Sequence, residues 1–153
     1  MEKTDSFFSE LKERLDTLPI IDQAYALEQV GGDASVAQEL FVMLAQWLPG
    51  VQDIVERAED RKDYQTIKDY THQIKGATAY CGTKRLNAMA TAADDAIANS
   101  ETETIYQHVQ LLCHEMNLII QHHEQTYVAS GLMSESDADN AVEATYDTEN
   151  KEE

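Results

Sequence analysis

Positive charge is what this chain has least of. Eleven lysines and arginines stand against 29 aspartates and glutamates, a formal net charge of -18 over 153 residues. So acidic a surface repels polyanions. It argues against nucleic acid or an anionic membrane as partner and favours basic or patch-matched protein surfaces. Long apolar runs are also missing. The longest candidate, Val36 to Val55, is interrupted by Gln38, Glu39, Gln46, Pro49, Gln52 and Asp53, so nothing reaches the ~20 residues of a membrane span. Met1-Glu2-Lys3-Thr4-Asp5 has no basic region followed by an apolar core, so no signal peptide is read. Cys81 and Cys113 are the only cysteines and lack metal-site spacing. They fit a reduced, cytoplasmic protein, with a single disulfide between them left open.

Two prolines and six glycines leave little punctuation. Apolar spacings of three and four recur and strand-like alternation is absent, which predicts an all-α chain without internal repeats. Its length suits one domain rather than two. Phe7, Phe8, Leu11, Leu15 and Leu18 predict a short helix ended by Pro19. A second covers about Asp22 to Gln29 and stops at Gly31-Gly32. Asp33 caps the next, whose stripe is Val36, Leu40, Met43, Leu44, Trp47, Val51, Ile54, Val55 and Ala58. Pro49 lies inside it and is expected to kink or break it, at roughly 3 kcal/mol if uncompensated. The third long segment runs from about Lys62 to Tyr80 and ends at Gly82. Thr83 caps the fourth, with stripe Leu86, Met89, Ala90, Ala93 and Ile97. Ser100-Glu101-Thr102-Glu103 reads as a capping box for a last helix burying Ile105, Val109, Leu112, Met116, Ile119, Ile120 and Tyr127. Four long helices with short connections predict an antiparallel up-down four-helix bundle, preceded by one or two short N-terminal helices. The boundaries are 1–20 for the N-terminal helix or linker, 21–129 for the bundle and 130–153 for an acidic tail. That tail has too little apolar surface to offset ordering entropy and is expected to be disordered.

The run Thr71-His72-Gln73-Ile74-Lys75-Gly76-Ala77-Thr78-Ala79-Tyr80-Cys81-Gly82 carries the chemistry. On a helical wheel Ile67, Tyr70, Thr71, Ile74, Ala77 and Thr78 face the bundle. His72 lies about 150° from that stripe and points outward. Gly76, one turn on, costs roughly 1 kcal/mol against alanine in a helix interior, and no turn needs it there. Space for an approaching surface explains it best. Lys75 and Lys68 share that flank, within reach of a phosphoryl group on the imidazole. Free imidazole titrates near about 6.5, which leaves a nucleophilic neutral nitrogen at cytoplasmic pH. A Gly-rich phosphate loop, a Walker lysine and an acidic Mg²⁺ pocket are all missing. The residues therefore suit accepting and donating a phosphoryl group, not making one from ATP. Taken alone, an outward histidine is usually only solvated. The offsets of Lys75, Gly76 and Gly82 separate His72 from His108, His114, His122 and His123, which are expected to be surface residues without a metal role. Trp47 and the methionines are expected in the core, and Cys81 as a small buried residue near the turn.

This pattern resembles the histidine-containing phosphotransfer (HPt) domain of bacterial phosphorelays. The residues that carry the resemblance are His72, Lys75, Gly76, Ala77, Gly82, Leu86 and Met89, and it spans about Ile21 to Tyr127. Trp47-Leu48-Pro49 and Ala79-Tyr80-Cys81-Gly82 look most similar to the C-terminal HPt module of BarA-type hybrid sensor kinases. The resemblance implies that His72 is phosphorylated, that Lys75 steadies the phosphate, that a partner approaches at Gly76, and that Gly82 makes the tight turn. Some relatives carry glutamine on the following helix, facing the histidine; here that position is Asp94, whose carboxylate would repel phosphate if it pointed the same way.

The resulting expectation is a phosphorelay intermediate in two-component signalling, a phosphocarrier and not an enzyme with its own ATP site. His72 would take a phosphoryl group from the aspartate of one receiver domain and pass it to a response-regulator receiver. The receiver would dock at Gly76, Ala79, Tyr80 and Gly82, with Arg85 at the rim, and would supply Mg²⁺; no cofactor or metal would be bound by the chain. A cytoplasmic monomer is expected, because the face must stay open. Met1 favours a free-standing carrier, while the helix before Pro19 equally fits a linker from a preceding receiver within a hybrid kinase. The competing reading is a helical adaptor that binds receivers without carrying phosphate.

Overall fold

The computed structural model describes residues 2–129, with side chains over 5–126. The acidic tail named above lies outside the described residues, and the Tyr127 side chain lies outside the side-chain range. The chain divides into a body, Met1–Ile120, and a second unit, Gln121–Glu153, whose described part is the end of the last helix. Every regular element among the described residues is helical: α1 (Glu2–Asp16), α2 (Gln23–Gln29), α3 (Ala34–Asp60), α4 (Tyr64–Thr78), α5 (Lys84–Ala98), a single 3₁₀ turn (Thr102–Thr104) and α6 (Ile105–Ala129). The helices α3 to α6 form the expected bundle.

The apolar stripes explain the packing. Leu48, Ile67, Ile74, Leu86, Met89, Leu112 and Met116 lose all solvent contact, each burial contributing about 1.5–3 kcal/mol. Phe8, Leu11 and Leu15 of α1 join the same core. Met43 does not. It is 65% exposed, because Leu44 and Leu48 take the inward positions of that half of α3. Pro49 does not break the helix; α3 runs unbroken through it. Its ring sits on the exposed side, while Leu48 and Val51 beside it are buried. Tertiary packing therefore outweighs the one lost backbone bond.

The connections set the helix ends. Gly31 and Gly32 take positive φ after α2, and the Asp33 carboxylate accepts from the Ser35 and Val36 amides, at 3.1 and 3.3 Å. Lys62, expected inside α4, instead adopts φ +59 and closes α3; Asp63 N–H donates to the Ala58 carbonyl at 2.8 Å. Asp63 then caps α4 through Thr66, which holds its carboxyl below the usual range. Thr83 occupies the N-cap position of α5 but makes no capping bond; its hydroxyl is buried without a partner. The Ser100 capping box does not form. Ser100 is left-handed, at φ +59, and terminates α5 by donating to the Ile97 carbonyl. Left-handed geometry is incompatible with the extended backbone of an N-cap.

Candidate functional site

The outer face of α4 is held by what its inner face buries. Ile67, Thr71, Ile74 and Thr78 are sealed in the core, which turns His72 out with 78% of its side chain exposed. Asn87 fixes the neighbouring helix. Its amide donates to the Lys75 carbonyl and to the Thr78 hydroxyl, both at 3.0 Å, tying α5 to the last turn of α4. Asn87 was not marked out by the spacing around His72. A polar residue beside the Leu86 and Met89 stripe was the available signal.

This pairing of α4 and α5 brings three charged or ionisable groups together. Asp94, only 16% exposed, places a carboxylate oxygen 3.9 Å from His72 Nδ1 and 3.8 Å from Lys75 Nζ. The carboxylate thus does point toward the imidazole, as the sequence left open. It addresses Nδ1, so Nε2 is the ring nitrogen turned away from it. Lys75 lies on the same flank as His72, and Lys68 sits one turn before His72 on the exposed side.

The two glycines differ. Gly76 is exposed, and a Cβ built there would meet nothing. Packing within the domain does not ask for glycine at that point. Gly82 is buried with φ +73, and a Cβ there would run into the Asp22 carbonyl and press on Ala26. Its own carbonyl accepts from Asp22 N–H at 2.7 Å. Gly82 is therefore a turn residue locked against the start of α2, not part of an open docking face. Ala79 is half-buried, and its carbonyl accepts from the Tyr25 hydroxyl at 3.2 Å. Tyr80 is 60% exposed and is available to a partner.

Arg85 is not at the rim of the His72 face. It binds Glu115 of α6 in a fork, at 2.8 and 3.1 Å, and reaches Asp16 of α1 at 3.3 Å. Nine residues separate Arg85 from Asp94, about half a rotation of the helix, so the two side chains leave α5 on opposite sides. His108 also departs from expectation. It is buried, with Nδ1–H donating to the Thr104 carbonyl at 2.8 Å and Nε2 left without a partner. The Phe8 and Phe7 rings of α1 cover it at 5.0 and 5.9 Å. Burial pushes its pKa down. His114 is exposed, and no group of three His, Cys, Asp or Glu residues among those described is arranged to hold a metal. Cys81 and Cys113 are free and buried. The Cys81 thiol donates to the Ala77 carbonyl at 3.3 Å, and burial raises its pKa. No described helix is long and apolar enough to cross a membrane.

The family model described as the Hpt domain matches residues 4–122. The chain is 30% identical over 71 residues to the sensor histidine kinase GacS of Pseudomonas protegens. That alignment takes in 46% of this chain and 8% of the kinase. No solved structure matches the chain.

Proposed function

Because this chain belongs to the Hpt domain family, whose members serve phosphotransfer in two-component signalling and interact with receiver domains, we propose that His72 is its phosphoryl carrier. It takes the group from the aspartate of one receiver and yields it to the receiver of a response regulator. The observation that carries this reading is the exposed imidazole with Lys75 beside it and open space above Gly76.

The chemistry follows from the ring. The Nε2 lone pair attacks phosphorus, an N–P bond forms, and the P–O bond to the receiver's aspartyl oxygen breaks with its electron pair returning to that carboxylate. The proton on Nδ1 stays in place and faces Asp94, which compensates the positive charge developing on the imidazole. Lys75, and Lys68 at longer reach, balance the phosphoryl oxygens. The divalent cation and the acceptor carboxylate belong to the receiver. Donation to the second receiver is the same step reversed. On this reading the domain works as a cytoplasmic monomer without an ATP site, either free-standing or as a module of a hybrid kinase.

A ³²P-labelled receiver with Mg²⁺ tests it. The intact chain should take up acid-labile, base-stable label, and His72→Gln should take up none while still binding the receiver. Binding without labelling of the intact chain would favour an adaptor; label on the variant would place the carrier elsewhere. The role given to Asp94 has its own readout. Imidazole ¹⁵N spectra should show His72 protonated at Nδ1 when neutral, and Asp94→Asn should shift the ring toward the Nε2–H form that free imidazole prefers.

A further inference from the structure

Asp94 bears on the phosphorylated state as well as on the free ring. Its side chain is 16% exposed, and the same oxygen, Oδ2, lies 3.9 Å from His72 Nδ1 and 3.8 Å from Lys75 Nζ. These two groups answer its charge. They differ in freedom. The Lys75 ammonium ends a flexible side chain that is 40% exposed, while Nδ1 is part of the ring that carries the phosphoryl group. A phosphoryl group on Nε2 brings negative charge to the flank that Lys75 shares with His72, and the ammonium turns toward it. Asp94 is then left with the proton on Nδ1 as its partner. A largely buried carboxylate without a donor is unfavourable, so that proton is held. The other charged groups around the ring are on α4 itself. Lys68 is exposed, and Asp69 is engaged by the Gln65 amide at 2.9 Å.

We infer that Asp94 sets how long the phosphohistidine lasts: by keeping Nδ1 protonated it makes His72 a ready donor and a short-lived store. This rests on the reading of His72 as the carrier and extends it to the loss of the group. In hydrolysis, water attacks phosphorus, the P–Nε2 bond breaks and its electron pair returns to Nε2. With the proton already on Nδ1 the leaving group is neutral imidazole, and both hydrogens of the water stay on the phosphate. Without that proton the ring would leave as an imidazolate anion, a far poorer leaving group. Transfer to a receiver breaks the same bond and gains in the same way. Asp94 touches neither phosphorus nor the attacking oxygen. It is a positioning residue that acts through the imidazole, as the carboxylate behind a catalytic histidine does.

Phosphoramidate supplies the group without a receiver, and ³¹P NMR then follows its loss from His72. The one-bond coupling of ³¹P to ¹⁵N-labelled imidazole confines the measurement to the Nε2 product, and His72→Gln gives the blank. At about pH 8, above the ~6.5 of a free imidazole, loss should be roughly tenfold slower in Asp94→Asn than in the wild type. At about pH 5.5 solvent protonates the ring in both, and the two rates should meet. A change in folding would not vanish with pH, so this convergence separates positioning from structure. Asp94→Glu, which restores the charge, should recover part of the fast loss at the higher pH. Equal rates at the higher pH, a longer-lived wild type, or a gap that persists undiminished at the lower pH would overturn the inference. Failure of a receiver to label the intact chain would count against the carrier reading alone, since the lifetime is measured with no receiver present.

Discussion

Gly76 and Gly82 lie six residues apart in one helical hairpin and are glycine for opposite reasons. At Gly76 the backbone is helical and the space above it is empty. Any residue would fit, and alanine would fit better. At Gly82 the backbone is left-handed and the Asp22 carbonyl fills the place of a side chain. No other residue fits without moving α2. The histidines repeat the contrast. His72 stands in solvent beside Lys75 and Asp94, and His108 lies under two phenylalanine rings. One residue of each pair lies on the open outer face of α4, and the other serves the packing that holds that face in place.

The largest effect expected from breaking this contrast is at the turn. Gly82→Ala combines the left-handed penalty of about 1–2 kcal/mol with a backbone clash, and should cost on the order of 3 kcal/mol. Chemical denaturation would measure it. An unchanged midpoint would mean that the α4–α5 turn and α2 separate easily, and that Gly82 does not lock them.

How much of this could be read beforehand depends on the distance over which a cause acts. Local causes were legible. Helical period located Ile67, Thr71 and Ile74 inside and His72 outside, and the fixed offsets among His72, Lys75, Gly76 and Gly82 marked the candidate site proposed above. Causes arising from another helix were not. His108 looked like a surface residue because nothing near it in sequence shows that Phe7 and Phe8 cover it. Arg85 looked free because Glu115, its partner, lies thirty residues away. Ser100 carried an N-cap signature, yet ending α5 took precedence over starting α6. Asp94 was placed on the correct helix, but which imidazole nitrogen it meets required the packing of α4 on α5.

A smaller effect should distinguish the two histidines. Burial depresses the His108 pKa in the folded state below the ~6.5 of an unfolded chain. Between those two values the unfolded state binds the extra proton, so stability falls as pH falls. The contribution is whole above about pH 6.5 and is lost as the pH drops through the folded pKa. The backbone bond to Thr104 and the charge of Glu101 oppose the depression without reversing it. Melting curves between about pH 7.5 and 5.5 should therefore slope more steeply in the wild type than in His108→Gln, since the carboxylates are common to both. Equal slopes would mean that the α1 rings open readily and let water reach Nε2.

The smallest effect expected has the opposite sign from the first, and for that reason it says most about the surface. Gly76→Ala removes the entropic cost of a helical glycine and meets nothing, so the domain should gain about 0.5–1 kcal/mol. If Gly76 only tolerated solvent, phosphotransfer would be untouched. If the empty space is where a receiver lays its backbone against α4, one methyl group there should slow transfer from the receiver several-fold. Phosphorylation of His72 by a small donor such as phosphoramidate should keep its rate. A more stable protein that transfers more slowly only with its macromolecular partner separates the needs of the fold from those of the interface. Unchanged transfer together with the stability gain would instead leave Gly76 without a reason in this domain or in its docking, and would move the point of closest approach toward Tyr80.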